Sequence, residues 1–493
     1  MKIIVKSKGE KTTIAFFLSA IVTYLVFKLF IEAFYLNDST KIFIASWLGN
    51  TILILYLCFF YMLNKKVFTL FNVLVAFMYL FNWGQCFMWS LGIHTDTEIG
   101  KTNLYSNYRI PTTAEILDAQ FFTILMMLFF LSGSMISGVV QKRKNIKQKI
   151  GYELEDNVLY KISKFASFII VPLTFARIFQ TIFISYKWGY QALYYSDHSI
   201  SDGLLTQVEY LFFPVLIGLL LGSHYNKKIR RNVYCIFAVY AVLYLLAGER
   251  GNWLYKLAIL IWLEHKYYKP INAKKFIKWS VMGVVGLYVV YVIVQLRSVA
   301  LSEISMEDIT EALSLMNFPL ISAIFEMGGN MGIITILLIE GKGIWNGYNT
   351  YIAAILGMPA TFWLKYFGID FTFLENWFSQ DFLNISWGSG FSFIGEAFIN
   401  GGRNFAFIYM IILGFFIATI TKVNEDKRHR GSMLSIAFKV TSCNAFASMM
   451  RGSCHLSFKQ WFLGVLLYLG FIKLIAIMYK RKLNTGRIRY GEN

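Results

Sequence analysis

Arginines within or beside long apolar segments are the residues of this sequence with the clearest potential for chemistry. The set comprises Arg177, Arg250, Arg297, Arg403 and Arg451. An arginine stays charged at every accessible pH, and its planar fork of donors matches phosphate oxygens bidentately. Because an ionised side chain beside hydrocarbon is costly without a partner, we predict that these arginines bind a phosphate or a lipid diphosphate. Separate structural ion pairs are the alternative.

Glycine, glutamate, arginine and glycine occupy positions 248–251, in a turn between two predicted membrane spans. Only about 37 residues, 232–268, supply both crossings and the turn, so the turn is expected to lie recessed below the outer membrane surface. The flanking glycines allow a ligand to approach the backbone closely, which suits a pyrophosphate. A self-paired Glu249 and Arg250 at the interface is the alternative.

Three residues are the candidates for acid and base chemistry, namely Glu396, His455 and Glu249. Glu396 lies in an apolar segment that re-enters the membrane and ends in glycines, where a carboxylate could accept a proton from a sugar hydroxyl. Pairing with Arg403 is an equally ordinary role for it. His455 follows Arg451 in a short outer turn and is the second candidate base, with a structural imidazole as the alternative.

Motifs for metals and nucleotides are missing from the sequence. There is no HExxH pair, no DxD on the predicted outer side, and no Walker or GxGxxG motif, so we predict no metal site and no cofactor. A nucleotide-driven pump is disfavoured for the same reason. The five cysteines are widely spaced and mostly inside apolar runs, which is typical of small core residues rather than of a disulfide framework.

Composition indicates which elements must position these residues. Of 493 residues, 57 % are apolar, 18 % aromatic and 15 % charged, whereas soluble proteins are roughly 45–50 % apolar and about 25 % charged. We therefore predict an all-α polytopic integral membrane protein. Its predicted spans, about twelve in number, are 13–36, 42–63, 67–91, 114–140, 158–185, 204–223, 232–247, 252–268, 279–297, 404–421, 432–450 and 458–479.

Basic residues cluster on one side of these spans. The clusters lie within 2–11, 65–66, 142–149, 227–231, 266–278, 422–430 and 480–489. The positive-inside rule makes that side cytoplasmic and places both termini there. The net charge of +19 is then explained by topology and by attraction to anionic lipid, so no nucleic-acid partner is expected.

The predicted outer side carries one large loop, 298–403. This loop contains amphipathic helical patterning over 309–321, a glycine break at 328–329 and a second apolar stretch at 351–367. Part of it is expected to lie on the membrane or to dip into it. Neither an internal repeat nor a segment of soluble composition is visible, so we predict a single integral membrane domain, 1–493.

The order of these features resembles that of the bacterial O-antigen and capsular repeat-unit polymerases, the Wzy type. The resemblance rests on Gly-Glu-Arg-Gly at 248–251, the large outer loop, Gly-Phe-Ser-Phe-Ile-Gly-Glu-Ala-Phe-Ile-Asn-Gly-Gly at 390–402 and Arg-Gly-Ser at 451–453. It covers about residues 170–460. It implies a metal-independent membrane glycosyltransferase of GT-C-like architecture, in the bacterial cytoplasmic membrane, with its active site facing the periplasm or the exterior.

The reaction implied by this resemblance is transfer of a growing glycan, en bloc, from undecaprenyl pyrophosphate to the terminal sugar of an incoming lipid-linked repeat unit. The arginines would neutralise charge on the departing pyrophosphate, and Glu396 or His455 would deprotonate the acceptor hydroxyl. The implied partners are lipid-linked donor and acceptor, membrane lipid, a chain-length regulator and a flippase. An O-antigen ligase-like transferase and a transporter or flippase of lipid-linked sugars are the alternatives.

Overall fold

The computed structural model describes residues 8–140, 152–188, 204–247, 251–272, 319–423 and 432–490, together with isolated positions between 274 and 306. Across these residues the regular structure is helical, and the β pairing they show consists of two isolated bridges near residues 99–108. A helix satisfies all of its backbone hydrogen bonds internally, which is the requirement that hydrocarbon imposes on a spanning segment. The predicted all-α class is confirmed for this part of the chain.

Seven long helices and one shorter helix form the first half of the described chain. They are α1 Lys8–Ala33, α2 Asp38–Asn64, α3 Leu70–Ser90, α4 Thr113–Val140, α5 Tyr152–Trp188, α6 Leu204–Gly222, α7 Lys227–Leu246 and α8 Gly251–Leu263. Helix α8 continues as a π-helical stretch, Glu264–Tyr268. These helices coincide closely with the predicted spans up to residue 268.

Shorter elements alternate with long helices in the second half. They are α9 Pro319–Met327, α10 Asn330–Glu340, α11 Thr350–Leu356, a 3-10 helix Thr361–Phe367, a helical turn Leu374–Asn376 that continues as π-helix Trp377–Phe382, α12 Phe393–Thr421, α13 Met433–Ala447, a 3-10 helix Ser448–Arg451, α14 Cys454–Trp461, a π-helix Phe462–Leu467 and α15 Tyr468–Tyr490. The glycine break predicted at 328–329 is confirmed as the boundary between α9 and α10.

Ten segments of the described chain are helical, long and apolar enough to cross a membrane. They are Gly9–Ala33, Asp38–Asn64, Leu70–Ser90, Thr113–Gly138, Glu153–Trp188, Leu205–Gly222, Lys227–Leu246, Leu320–Glu340, Phe393–Thr421 and Cys454–Lys482. The chain is thus a polytopic membrane protein. One candidate, Leu320–Glu340, lies inside the predicted outer loop. The predicted spans 252–268 and 432–450 form shorter helices. The predicted span 279–297 lies mostly outside the described residues. The count of twelve stays a prediction.

The close packing of α4 against α12 depends on two glycines. A Cβ atom on Gly414 would lie 1.9 Å from the carbonyl oxygen of Phe130, and one on Gly133 would lie 2.2 Å from that of Ile411. Small residues at such crossings let two helix backbones approach each other within a membrane. This contact holds α12 in place, and α12 carries Glu396.

A kink at Gly402 divides α12 into two helical parts. Its φ of 62° lies in the left-handed region, which glycine adopts without the penalty that a Cβ imposes. The first part, Phe393–Gly401, is almost entirely buried, whereas the second part presents Phe405, Ile408 and Ile412 on the outside of the protein. The kink therefore separates a buried, site-bearing segment from a lipid-facing one.

Candidate functional site

A short turn at residues 448–455, here called the arginine turn, brings together two of the predicted site residues. It consists of the 3-10 helix Ser448–Arg451, Gly452, Ser453 and the first residues of α14. Asn82 of α3 donates from Nδ2 to the carbonyl oxygen of Met450 at 3.0 Å and accepts from the hydroxyl of Ser392 at 2.9 Å. Asn82 of α3 thus holds the arginine turn and is itself held by Ser392, which directly precedes α12.

Two carboxylates bind the backbone of the arginine turn. Glu375 accepts from the N–H of Ser453 at 2.7 Å and from its hydroxyl at 3.2 Å. Glu396 accepts from the N–H of Cys454 at 2.7 Å. These N–H groups belong to the beginning of α14, where a helix has unsatisfied donors and favours negative charge. A Cβ on Gly452 would lie 3.1 Å from Oε1 of Glu375, so glycine allows this close approach.

Glu396 is completely buried, and its second oxygen is also engaged. Oε1 of Glu396 accepts from the hydroxyl of Thr350 at 2.6 Å. Asn400 in turn donates to Oγ1 of Thr350 at 2.7 Å and accepts from its backbone N–H at 2.9 Å. The carboxylate of Glu396 therefore joins α11, α12 and α14. Among the described residues, Glu396 forms no ion pair with Arg403, which is paired with Asp118.

The guanidinium of Arg451 lies among aromatic rings at the other end of the turn. Its central carbon is 5.8 Å from the centroid of Phe81, and Nη1 is 3.9 Å from the position that a Cβ on Gly251 would take. Burial raises the pKa of nearby Tyr105, and the positive charge of Arg451 opposes that rise. Within the described ranges no carboxylate forms an ion pair with Arg451. Its donors are available to an anion there.

The contact with Gly251 relates the arginine turn to the segment 248–251. Gly251 begins α8 and lies beside the guanidinium of Arg451. Gly248, Glu249 and Arg250 lie outside the described residues, so their roles stay predictions.

His455 is buried, with a relative exposure of 4 %. Its ring centroid is 4.3 Å from that of Phe371 and 5.6 Å from that of Phe373. Neither ring nitrogen has a hydrogen-bond partner among the residues the structure describes. A buried polar group without a partner costs about 1–3 kcal/mol and calls for an explanation. A substrate hydroxyl at the imidazole would provide one.

Arg177 is located in a different cluster, between α5, α6 and α7. Its Nη1 lies 2.8 Å from Oε2 of Glu209, and both side chains are largely buried. Glu209 also accepts hydrogen bonds from the hydroxyls of Tyr240, at 3.3 Å, and Tyr244. The structure thus shows Arg177 in a structural ion pair, which is the alternative to phosphate binding that the sequence left open. Its role in binding a diphosphate stays a prediction.

We expect Glu209→Ala to lower the free energy of unfolding by about 3–5 kcal/mol, because it removes the carboxylate of a buried ion pair and leaves the charge of Arg177 without it. Replacing both residues, with Arg177→Met and Glu209→Leu, should restore much of that loss. Thermal unfolding in detergent measures both effects. A single variant as stable as the wild type would contradict the structural role. Unchanged activity of the double variant would contradict a diphosphate role for Arg177.

The remaining predicted arginines lie elsewhere. Arg403 forms a two-pronged ion pair with Asp118, in which Nη1 is 2.8 Å from Oδ1, and both side chains are about half exposed. Arg297 lies outside the described residues. Of the predicted set, the structure therefore brings Arg451, His455 and Glu396 together, separates Arg177 from them in an ion pair of its own, and pairs Arg403 at the surface.

Sequence reasoning did not identify four residues that position the site, namely Asn82, Thr350, Glu375 and Asn400. Asn82 offered a signal, because an asparagine within an apolar span is costly unless it is hydrogen-bonded. Glu375 is one of several carboxylates in the predicted outer loop, 298–403, and its spacing does not distinguish it from the others. Asn400 lies within the motif 390–402, but its type did not indicate which residue it binds. Thr350 gave no signal, since single polar residues near a loop are common.

The five cysteines are free thiols. In the part of the chain that the structure covers, no group of three or more His, Cys, Asp or Glu side chains is arranged to hold a metal ion. The predicted independence of metals and cofactors is not tested by this observation.

Comparison with known proteins relates nearly the whole chain to one family. The family model described as O-antigen polysaccharide polymerase Wzy matches residues 14–482. Comparison of the chain with curated proteins found no match, and comparison with solved structures found none either.

Proposed function

The chain belongs to the Wzy family of O-antigen polysaccharide polymerases, and from this premise we propose how its arginine turn takes part in catalysis. Members of this family are membrane enzymes that polymerise O-antigen repeat units in lipopolysaccharide biosynthesis, and membership implies lipid-linked repeat units as substrates. Polymerase membership also favours this activity over the ligase and the transporter considered from the sequence.

The proposed reaction transfers the growing glycan from undecaprenyl pyrophosphate to the terminal sugar of an incoming lipid-linked repeat unit. An acceptor hydroxyl oxygen attacks the anomeric carbon of the donor while the bond from that carbon to the pyrophosphate oxygen breaks. The hydroxyl proton passes to a base on the enzyme, and the pyrophosphate leaves as an anion. The basic clusters support an active site on the side opposite to the cytoplasm.

Arg451 is proposed to bind the departing pyrophosphate. Its guanidinium has no carboxylate partner among the described residues, and its neighbours are the aromatic rings of Phe81, Tyr105 and Tyr255. In such surroundings a charge-assisted hydrogen bond is stronger than in water. Donors aimed at the oxygen on which charge develops lower the barrier without reorganising during the reaction. Arg250 and Arg297 are proposed to assist it.

His455 and Glu396 are the proposed proton acceptors, and the geometry favours His455. Both oxygens of Glu396 already accept hydrogen bonds, from Thr350 and Cys454, which suits an anchor for the turn. The nitrogens of His455 have no such partners among the described residues. One observation carries the proposal: Arg451, which has no carboxylate partner among the described residues, and His455, whose ring nitrogens have no hydrogen-bond partner there, lie four residues apart in one turn.

Product analysis in a strain that lacks its own repeat-unit polymerase tests the activity. Expression of this chain with its cognate repeat unit should produce long lipid-linked glycan, because the family reaction joins repeat units. A pulse of labelled repeat units should then appear at the lipid-proximal end of the glycan, since each transfer places the old chain on a new unit. An empty vector is the control.

Two results would contradict the proposal. The absence of polymer from a confirmed repeat unit, with the protein present in the membrane, would exclude the polymerase activity in this pairing. Label at the distal end of the glycan would exclude en bloc transfer. A chain-length regulator and a flippase remain proposed partners, and their presence would alter glycan length and supply rather than the position of the label.

A further inference from the structure

Six large apolar side chains on residues 350–367 face outward and form what is here called the aromatic face. They are Ile352, Ile355, Phe362, Trp363, Tyr366 and Phe367. Trp363 is 50 % exposed and Tyr366 is 80 % exposed, although both lie in a short 3-10 helix. Their closest ring contacts are with each other and with Phe362, at centroid distances of 5.4–6.1 Å. A surface of this composition is not typical of a water-facing loop.

The opposite side of the same segment is fixed against the candidate site. Thr350 donates to Glu396, and Leu364 is completely buried. A Cβ on Gly357 would lie 3.0 Å from Cε1 of His455. The segment is therefore a single layer of short helices, with the site on one side and the aromatic face on the other.

The position of α11 along the second part of α12 gives the depth of this face. The ring of Tyr351 stacks on that of Tyr409 at 4.6 Å, and Asn349 donates to the hydroxyl of Tyr409 at 2.9 Å. Tyr409 lies six residues beyond Arg403, which corresponds to about 9 Å along a helix. Arg403 and Asp118 form a polar pair near the start of the second part of α12. Because Tyr409 lies farther along this helix than that pair, α11 contacts the apolar length of the span.

We infer that the aromatic face is inserted into the bilayer, at the boundary between hydrocarbon and headgroups on the Arg403 side of the membrane, and that its occupant is membrane lipid. The segment that carries the face packs through Tyr351 and Asn349 on the second part of α12, which also exposes apolar residues, namely Phe405, Ile408 and Ile412. Tryptophan and tyrosine are the residues enriched at this depth. Lys365 is exposed in the same 3-10 helix, and its ammonium can reach lipid phosphates while its stem remains among apolar groups. This inference does not depend on the proposed function.

Tryptophan emission in reconstituted vesicles tests the location. The emission of Trp363 is the tryptophan emission of the wild type minus that of Trp363→Phe. It is measured in two kinds of phosphatidylcholine vesicle, one with ordinary acyl chains and one with acyl chains brominated near the headgroup. Brominated lipid should remove roughly half or more of this difference, because a ring at the interface contacts the acyl chains. Iodide, which quenches from the water and is added on both sides of the membrane, should leave most of the Trp363 emission unquenched.

Trp377→Phe is the matched control, since Trp377 is partly buried and packs on Trp345 at 4.9 Å. The difference signal for Trp377 should respond to neither quencher. Adding Tyr366→Trp to the wild type places a second reporter on the face without removing Trp363, so the test does not depend on one variant folding. Its added emission should follow that of Trp363.

Two outcomes would overturn the inference. Strong quenching of Trp363 by iodide, with no effect of bromine, would place the face in water. Insensitivity to both quenchers would show that protein covers the face, for example a second copy of the chain. Neither measurement requires turnover, so failure here leaves the proposed polymerase activity untouched.

Discussion

Arg451→Lys is expected to lower the rate of glycan polymerisation by roughly a hundredfold or more. Lysine keeps the positive charge but loses the planar fork that holds two phosphate oxygens at once. A hydrogen bond to a charged group contributes about 1.5–3 kcal/mol, so the loss of one or two from the transition state reaches this magnitude. The measurement is the initial rate with purified lipid-linked repeat unit in vesicles, at matched amounts of folded protein.

Arg403→Lys is the matched control for this variant. Arg403 is also an arginine, but it forms a two-pronged ion pair with Asp118, and both side chains are about half exposed. Exposed ion pairs contribute about 0–1 kcal/mol, so this variant should polymerise within about twofold of the wild type. Equal activity of Arg451→Lys and Arg403→Lys would contradict the pyrophosphate-binding role of Arg451.

His455→Gln is expected to reduce polymerisation by roughly 10²–10⁴-fold, the usual contribution of a positioned base. Glutamine can still form hydrogen bonds in the same space, but it cannot take up the proton of the acceptor hydroxyl. Glu396→Gln should lose about tenfold or less, because one amide oxygen can still accept from the N–H of Cys454 while the amide nitrogen donates to Thr350. The rates are compared over a range of pH with the same lipid-linked substrates.

Thermal unfolding of both variants separates catalysis from folding. Glu396 is the more completely engaged of the two residues, so Glu396→Gln should lower the unfolding temperature more than His455→Gln does. If Glu396→Gln abolishes polymerisation in a fully folded protein while His455→Gln remains active, then Glu396 is the base. That result would support the first candidate from the sequence over the one that the geometry favours.

Much of the fold could be predicted from the sequence, because the forces that select it act locally. Uncharged runs of about twenty apolar residues must be helical in hydrocarbon, and most predicted spans up to residue 268 agree with the helices. The glycine break at 328–329 was also visible, since glycine marks interruptions directly. The segment 320–340 lies within the predicted outer loop, whereas in the structure it is a candidate span interrupted by that glycine break.

The membrane class and the helical architecture were determined by the sequence alone, which also singled out Arg451 and His455 as candidate site residues. The cytoplasmic location of the basic clusters stays a prediction. The tertiary structure decided which partners these residues have. Glu396 binds the N–H of a residue 58 positions later, and Asn82 binds a carbonyl 368 positions later. Arg177 and Glu209 lie on neighbouring helices that could have met at many rotations. Residue type and spacing predict burial and charge, but hydrogen-bond partners depend on how helices rotate and pack, which no local pattern specifies.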